Sequence, residues 1–333
     1  MKRKLFLFVC MFCIIFFSGC GKSDEKDVLK KIKQKMENSN SYNLQGDLEI
    51  MNAEYVYEYN VDVSYQKEDK FRVSLKNKTN NHEQIILKNQ EGVFVLTPSL
   101  NKSFKFQSDW PYNNSQSYLI QNLIKDIEGE DTLFEKKGEE YIYTTKVNYA
   151  NNKDLTKQKI YINKDLDFTK VEVYNDSEEL KMKMIFKNIK FDENFNDDYF
   201  DLKSNMSVSE DIDSKAKTVS KINDIIYPMY IPANTYLTGQ NVINKENGER
   251  VILTFSGEKP FVFVQETANY EKEPTTITMS GDPLLLTDTI GALSSNSASW
   301  VSNNVEYYLA SDTLTQDELV SVVKSVSVMP VSK

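Results

Sequence analysis

The chain has 333 residues, of which 40% are hydrophobic and 27% charged, with a formal net charge of −9, one histidine and three cysteines. An acidic chain with no Lys/Arg-rich block in its body is a poor match for nucleic acid or anionic headgroups. The lone histidine, His82, in the turn-like Asn80-Asn81-His82-Glu83, excludes zinc sites built on several His or Cys ligands and gives Ser-His-Asp or Cys-His chemistry no surrounding motif.

Met1-Lys2-Arg3-Lys4 precedes an apolar run of 13 residues, Leu5 to Phe17. As a helix this run reaches about 20 Å, short of the roughly 30 Å of hydrocarbon that a stable anchor must span. It reads instead as a signal peptide over residues 1–19, closed by Phe17-Ser18-Gly19-Cys20. Small Ser18 and Gly19 suit a peptidase cleft, and the Cys20 thiol is the expected acceptor of a covalent diacylglycerol. Phe17 stands where an aliphatic residue is usual. Two acyl chains anchor a protein stably where one does not, which places the chain on the outer face of the cytoplasmic membrane. Cys10 and Cys13 leave with the signal, so the mature chain has no disulfide, and losing three cations takes its net charge from −9 to −12.

Residues 20–27 read as a polar tether, extended to about 25 Å. Val28, Leu29, Ile32 and Met36 recur at helical spacing through Asp27 to Ser39, giving an amphipathic helix with one core-facing stripe. Strands follow by period-two alternation: Leu44 to Ile50, Tyr55 to Tyr65, Phe71 to Leu75, Gln84 to Leu87, Val93 to Thr97 and Phe104 to Phe106. Tyr141 to Val147, Lys159 to Ile162, Lys170 to Tyr174 and Leu180 to Phe186 continue the pattern. Between the two groups, Ser115 to Ile127 predicts a helix with Ser115 as its N-cap. Two short helices cover a large sheet poorly. The pattern is therefore compatible with a concave apolar cavity or with a core filled by aromatic side chains. Trp110 and Tyr112, with Phe104 and Phe106 on the strand before them, are the candidates for a cavity mouth or partner surface, with core packing as the alternative.

Residues 192 to 224 carry many carboxylates and little periodicity, reading as a last sheet edge and a solvated linker (204–226). Asp197 and Asp198 lack the oxygen spacing and turn glycine of a calcium loop. Residues 227–333 read as a small α+β domain, with strands at Arg250 to Phe255, Phe261 to Glu266, Thr275 to Met279 and Glu306 to Ala310. Its helix begins at Thr315, where Glu318 completes a capping box.

The stretch EQIILKNQEGVFVLTPSLNKSFKFQSDWPYNNSQSYLIQNL, Glu83 to Leu123, resembles the most characteristic part of the YdcC-type lipoproteins of spore-forming Gram-positive bacteria, within the LolA-like carrier superfamily. VDVSYQKEDKFRVSLKN, YPMYIPANTYL and GERVILTFSGEKPFVFVQE resemble the same group. The resemblance implies a mainly β fold over residues 28–203, a LolA-like curved antiparallel half-barrel with covering helices. It implies sporulation or germination as the setting and an acyl chain or lipoprotein as ligand. A cell-wall amidase or other spore-envelope protein is the implied partner, by likeness to the related GerS lipoproteins, and RseB-like lipid sensing is a further possibility. It carries no catalytic motif; the expectation is a protein that is not an enzyme, with no metal, no cofactor beyond the lipid on Cys20, and no nucleic-acid partner.

Overall fold

The structure is a computed structural model that describes residues 21–52, 55–149, 151–206, 221–271 and 273–326. Cys20 and the signal segment lie outside the described residues, as do residues 207–220 of the expected linker.

The first helix, α1 (Gly21–Asn38), buries Val28 and Ile32 and half-buries Leu29 and Met36, the stripe expected from its spacing. It starts within the segment read as an extended tether. Lys22 to Asp27 contain no Pro or interior Gly to resist helix, and acidic residues in early turns suit the helix dipole. Six strands follow as an antiparallel meander: β1 (Ser41–Asn52), β2 (Tyr55–Gln66), β3 (Lys70–Asn77), β4 (Glu83–Asn89), β5 (Gly92–Thr97) and β6 (Lys102–Phe106). Helix α2 (Ile120–Ile127) leads to a second meander of β7 (Leu133–Lys137), β8 (Glu140–Lys146), β9 (Leu155–Asn163), β10 (Phe168–Asn175) and β11 (Leu180–Phe191). The meanders join where β11 pairs antiparallel with β1. Gly46 makes that seam possible: at its bulge a Cβ would sit 2.3 Å from the Ile185 carbonyl oxygen.

One face of this sheet carries the alternating residues Leu44, Leu48, Tyr59, Val61, Val63 and Val73, all buried in a core cluster shared with residues of α1, α2 and the later strands. The opposite face of β4 and β5 is covered as well. There Phe195, Tyr199, Phe200 and Met206, ending in α3 (Leu202–Met206), pack on Ile85, Leu87, Phe94 and Leu96. Within the stretch read as edge and solvated linker, residues 195–206 therefore pack on the sheet: Asp197, Asp198 and Asp201 stay exposed while Phe195, Tyr199 and Phe200 turn inward.

The remaining strands are β12 (Thr235–Lys245), β13 (Gly248–Gly257), β14 (Phe261–Thr267), β15 (Thr275–Met279), β16 (Gly281–Leu285), β17 (Ile290–Ser294), β18 (Ser297–Ser302) and β19 (Val305–Ala310). All but β15 form a seven-stranded antiparallel sheet, order β12-β13-β14-β19-β18-β17-β16, backed by α4 (Gln316–Ser325). Thr315 and Glu318 form the expected capping box at the start of α4. Strand β15, expected within this second unit, instead runs parallel to β6 and becomes the twelfth strand of the first sheet. The chain changes sheets at Gly281, where a Cβ would lie 1.7 Å from the Leu293 carbonyl oxygen. The fold is mainly β with few helices, and the large sheet is open: β7 and β15 end it without pairing to each other.

Candidate functional site

Buried Gln84 on β4 stitches the two sheets together. Its Oε1 accepts from the Ile290 N–H at 2.6 Å and the Thr289 hydroxyl at 2.8 Å, and its Nε2 donates to the Ile290 carbonyl at 3.0 Å. The Tyr59 hydroxyl donates to the Thr287 carbonyl at 2.8 Å, and Asn113 Nδ2 to Asp282 at 2.9 Å. These bonds hold β16, β17 and the turn between them over the buried face of the first sheet.

Between them lies a cavity of about 250 Å³. Its floor is Ile50, Ile86, Leu155 and Met182 from the first sheet, and its roof is Leu284, Leu285, Leu286 and Ile290 from the second. Trp110 and Tyr118 close one side. The polar rim is built of amides, among them Asn52, Gln116, Asn151 and Asn152, with Lys181, Asp154 and, from α4, Lys324.

Two loops shape the mouth and are clamped to each other. The Ser115 N–H donates to the Asn148 carbonyl at 2.8 Å, and the Asn148 N–H returns a bond to Ser115 Oγ at 2.9 Å. Ser115 is thus not the N-cap expected from sequence. Helix α2 begins at Ile120, and Asn122 Nδ2 ties the preceding loop to it by donating to the Pro111 and Asn114 carbonyls. Beneath the clamp, half-buried Asp126 accepts from Ser115 Oγ at 3.1 Å and Gln158 Nε2 at 2.7 Å. Burial pushes its carboxyl up to about 6, against the opposing effect of those hydrogen bonds. Burial likewise lowers the Lys324 ammonium to about 8, against the pull of Asp154 and Asp317.

Of the four side chains singled out from sequence, Trp110 lines the cavity, with its ring 5.9 Å edge-on from Phe71. Tyr112 is 44% exposed and held on the outer surface, its hydroxyl bonded to Asp69 and its ring beneath Lys88. Phe104 and Phe106 pack on β6 between β5 and β15 and do not reach the cavity wall. The cavity's roof could not be read from sequence, because it comes from strands whose placement over the first sheet depends on the β15 crossover. Lys324 carried no signal beyond being a lysine on an amphipathic helix. His82 sits in its turn with Nε2 buried and its imidazole pushed toward the neutral form by burial. Among the described residues, no group of three or more His, Cys, Asp or Glu side chains converges on a metal position, and no helix is long and apolar enough to cross a membrane.

The fold and site define a class: a mainly β protein whose open sheet and smaller second sheet border a cavity lined by both apolar and amide side chains. A family described as "Sporulation protein YdcC-like" matches residues 1–200. Sporulation protein YdcC of Bacillus subtilis (strain 168) is 37% identical over 327 residues, covering 97% of this chain and 96% of that protein. The chain therefore belongs to the YdcC-like family of sporulation proteins. Among solved structures, the complex of MucA and MucB from Pseudomonas aeruginosa is similar with a TM-score of 0.33 and 12% identity, over 90% of this chain and 97% of that one. A LolA superfamily protein from Nitrosomonas europaea is similar with a TM-score of 0.32 and 12% identity, over 54% of this chain and 98% of that one.

Proposed function

We propose that this protein is a membrane-anchored lipoprotein of sporulation or germination, held by diacylglycerol on Cys20, that acts without catalysis by holding an apolar segment between its two sheets. The cavity carries this reading: aliphatic and aromatic side chains from both sheets, among them Ile50, Ile86, Met182, Leu284 and Trp110, line it alongside amides, and neither His82 nor any metal-binding cluster among the described residues stands at it. An acyl chain, free or on a lipoprotein, matches that lining. Organic extraction and mass spectrometry of the protein purified from sporulating cells tests it. Stoichiometric lipid is expected; protein that is reproducibly lipid-free beyond its own Cys20 anchor counts against it.

A second reading, docking of a protein such as a cell-wall amidase, is favoured by β12. This edge strand has 11 residues with no charge before Lys245, and Tyr236, Leu237, Val242 and Ile243 are exposed along it. Proteins ordinarily blunt such edges with charge, Pro or brevity. Here β7 carries Glu135, Lys136 and Lys137, and β16 is short and holds Pro283. A partner adding an extended strand fits β12. Affinity capture with wild type and Val242→Lys is expected to show the same partner lost from the variant; equal recovery from both contradicts this reading.

A further inference from the structure

No charged residue occurs from Ile225 to Asn244, although 27% of the chain is charged. The first part of this run, Tyr227-Pro228-Met229-Tyr230-Ile231-Pro232, is held in place by its prolines and its backbone. Pro228 and Pro232 are buried, and the Met229 N–H donates to the Ser325 carbonyl at the end of α4 at 3.4 Å. The large side chains between and beside the prolines stay in water. Met229 is 88% exposed, and Tyr227, Tyr230 and Ile231 are exposed around it. A contiguous apolar patch left on the surface of a folded chain marks a contact surface. Tyrosine, with an apolar ring and a polar hydroxyl, suits the boundary between headgroups and hydrocarbon, and Met and Ile suit the layer beneath it.

The patch sits at the end of the molecule from which α1 starts. Helix α1 begins at Gly21, the residue after Cys20. Its Glu25 carbonyl accepts from the Tyr143 hydroxyl at 3.1 Å, and Lys35, near its other end, pairs at 2.7 Å with Asp167 in the β9–β10 turn. Tyr143 lies opposite Ile160 in the middle of β9, so α1 starts toward the β8–β9 loop and runs away from it. That loop supplies Asn151 and Asn152 to the cavity and Lys153 to Asp317 of α4, at 2.5 Å. Lys324, next to the Ser325 that holds Met229, lines the same cavity. Anionic headgroups repel a mature chain of net charge −12, and an uncharged patch meets them without that cost. A patch this small binds weakly alone, but a lipid tether makes its docking an intramolecular step. We propose that Tyr227, Met229, Tyr230 and Ile231 dock in the interface of the membrane that carries the anchor, turning the cavity mouth toward the bilayer. The inference rests on the proposed Cys20 anchor and adds an orientation to it: an acyl chain passes from bilayer to cavity without crossing bulk water.

The test uses the full lipidated protein in vesicles of phosphatidylcholine and phosphatidylglycerol. With the Cys20 thiol acylated, Met229→Cys and, in the far β9–β10 turn, Asp165→Cys each offer a lone thiol for a nitrobenzoxadiazole label, both at exposed positions. The label at 229 is expected to shift to the blue and to lose fluorescence to lipids brominated on the acyl chain, more to bromines near the headgroup than to bromines near the chain end. Neither change is expected at 165. With the label moved to Ile231→Cys, Met229→Asp is expected to abolish the quenching; because Met229 is exposed, this substitution does not threaten the fold. Mass spectrometry of the N-terminal peptide in the same preparation reads the diacylglycerol on Cys20. Lipidated protein whose label at 229 behaves like that at 165 overturns the inference while the anchor stands. So does a label shielded only after extract of sporulating cells is added, which assigns the patch to a protein. Protein without diacylglycerol on Cys20 overturns both.

Discussion

Asp126 is a half-buried carboxyl under two pocket-mouth loops, and its proton has a stability consequence that can be signed. Its folded value of about 6 lies above the unfolded value of about 3.9. The folded protein therefore keeps a proton that the unfolded chain has already lost, and the group's contribution is fully present below about pH 4 and lost as pH rises through about 6. Asp126→Asn removes that loss. In urea titrations the variant is expected to gain on the wild type as pH rises from 4 to 7; a pH-independent difference would show that Asp126 titrates normally. Gly46 is the second residue on which the fold turns. Gly46→Ala drives a methyl into the Ile185 carbonyl and the Met184 side chain, 2.3 and 2.5 Å from the added carbon. A loss of about 1–3 kcal/mol is expected from the urea midpoint. Gly46 was visible in the sequence only as a member of an alternating face, because the close approach of a distant strand leaves no local trace.

At the scale of elements, legibility followed exposure. The capping box at Thr315 and Glu318 is a local motif and was read correctly. Thr315→Ala is expected to cost about 1 kcal/mol, measured by thermal or urea unfolding. Strands with one buried and one exposed face, such as β2, β9 and β11, announced themselves by period two. The missed strands lack that contrast. β12 and β7 are exposed on nearly every residue, and β17 is buried on every residue. A strand wetted or covered on both faces has no alternation to display. Helix α2 was located but begun five residues early. Ser115 looked like a cap from its type and position, and only the fold shows that it is committed to Asn148 and Asp126.

For the whole molecule, the sequence conveyed a mainly β chain with a sheet-rich body and a smaller second unit. It did not convey how the two are joined. That junction depends on β15 crossing to pair with β6 and on the bonds of Gln84, Tyr59 and Asn113, pairings between residues far apart in sequence for which no periodicity exists. Gln84→Ala leaves the buried Ile290 N–H and C=O without these bonds. A loss of about 2 kcal/mol is expected, together with faster hydrogen exchange in β16 and β17 than in β1 and β2. Uniformly faster exchange in both sheets would show that Gln84 does not hold the junction in particular. The cavity exists because of this junction, and its central claim, occupancy by an apolar chain, has an internal reporter. The chain has two tryptophans, Trp110 at the cavity and Trp300 stacked on Tyr307 in the second sheet. In Trp300→Phe, which keeps that aromatic stack, fluorescence reports on Trp110 alone. Titration with a brominated acyl chain is predicted to quench it saturably at one chain per protein. Quenching that rises linearly without saturation, as for a tryptophan met only by collision, would contradict the account.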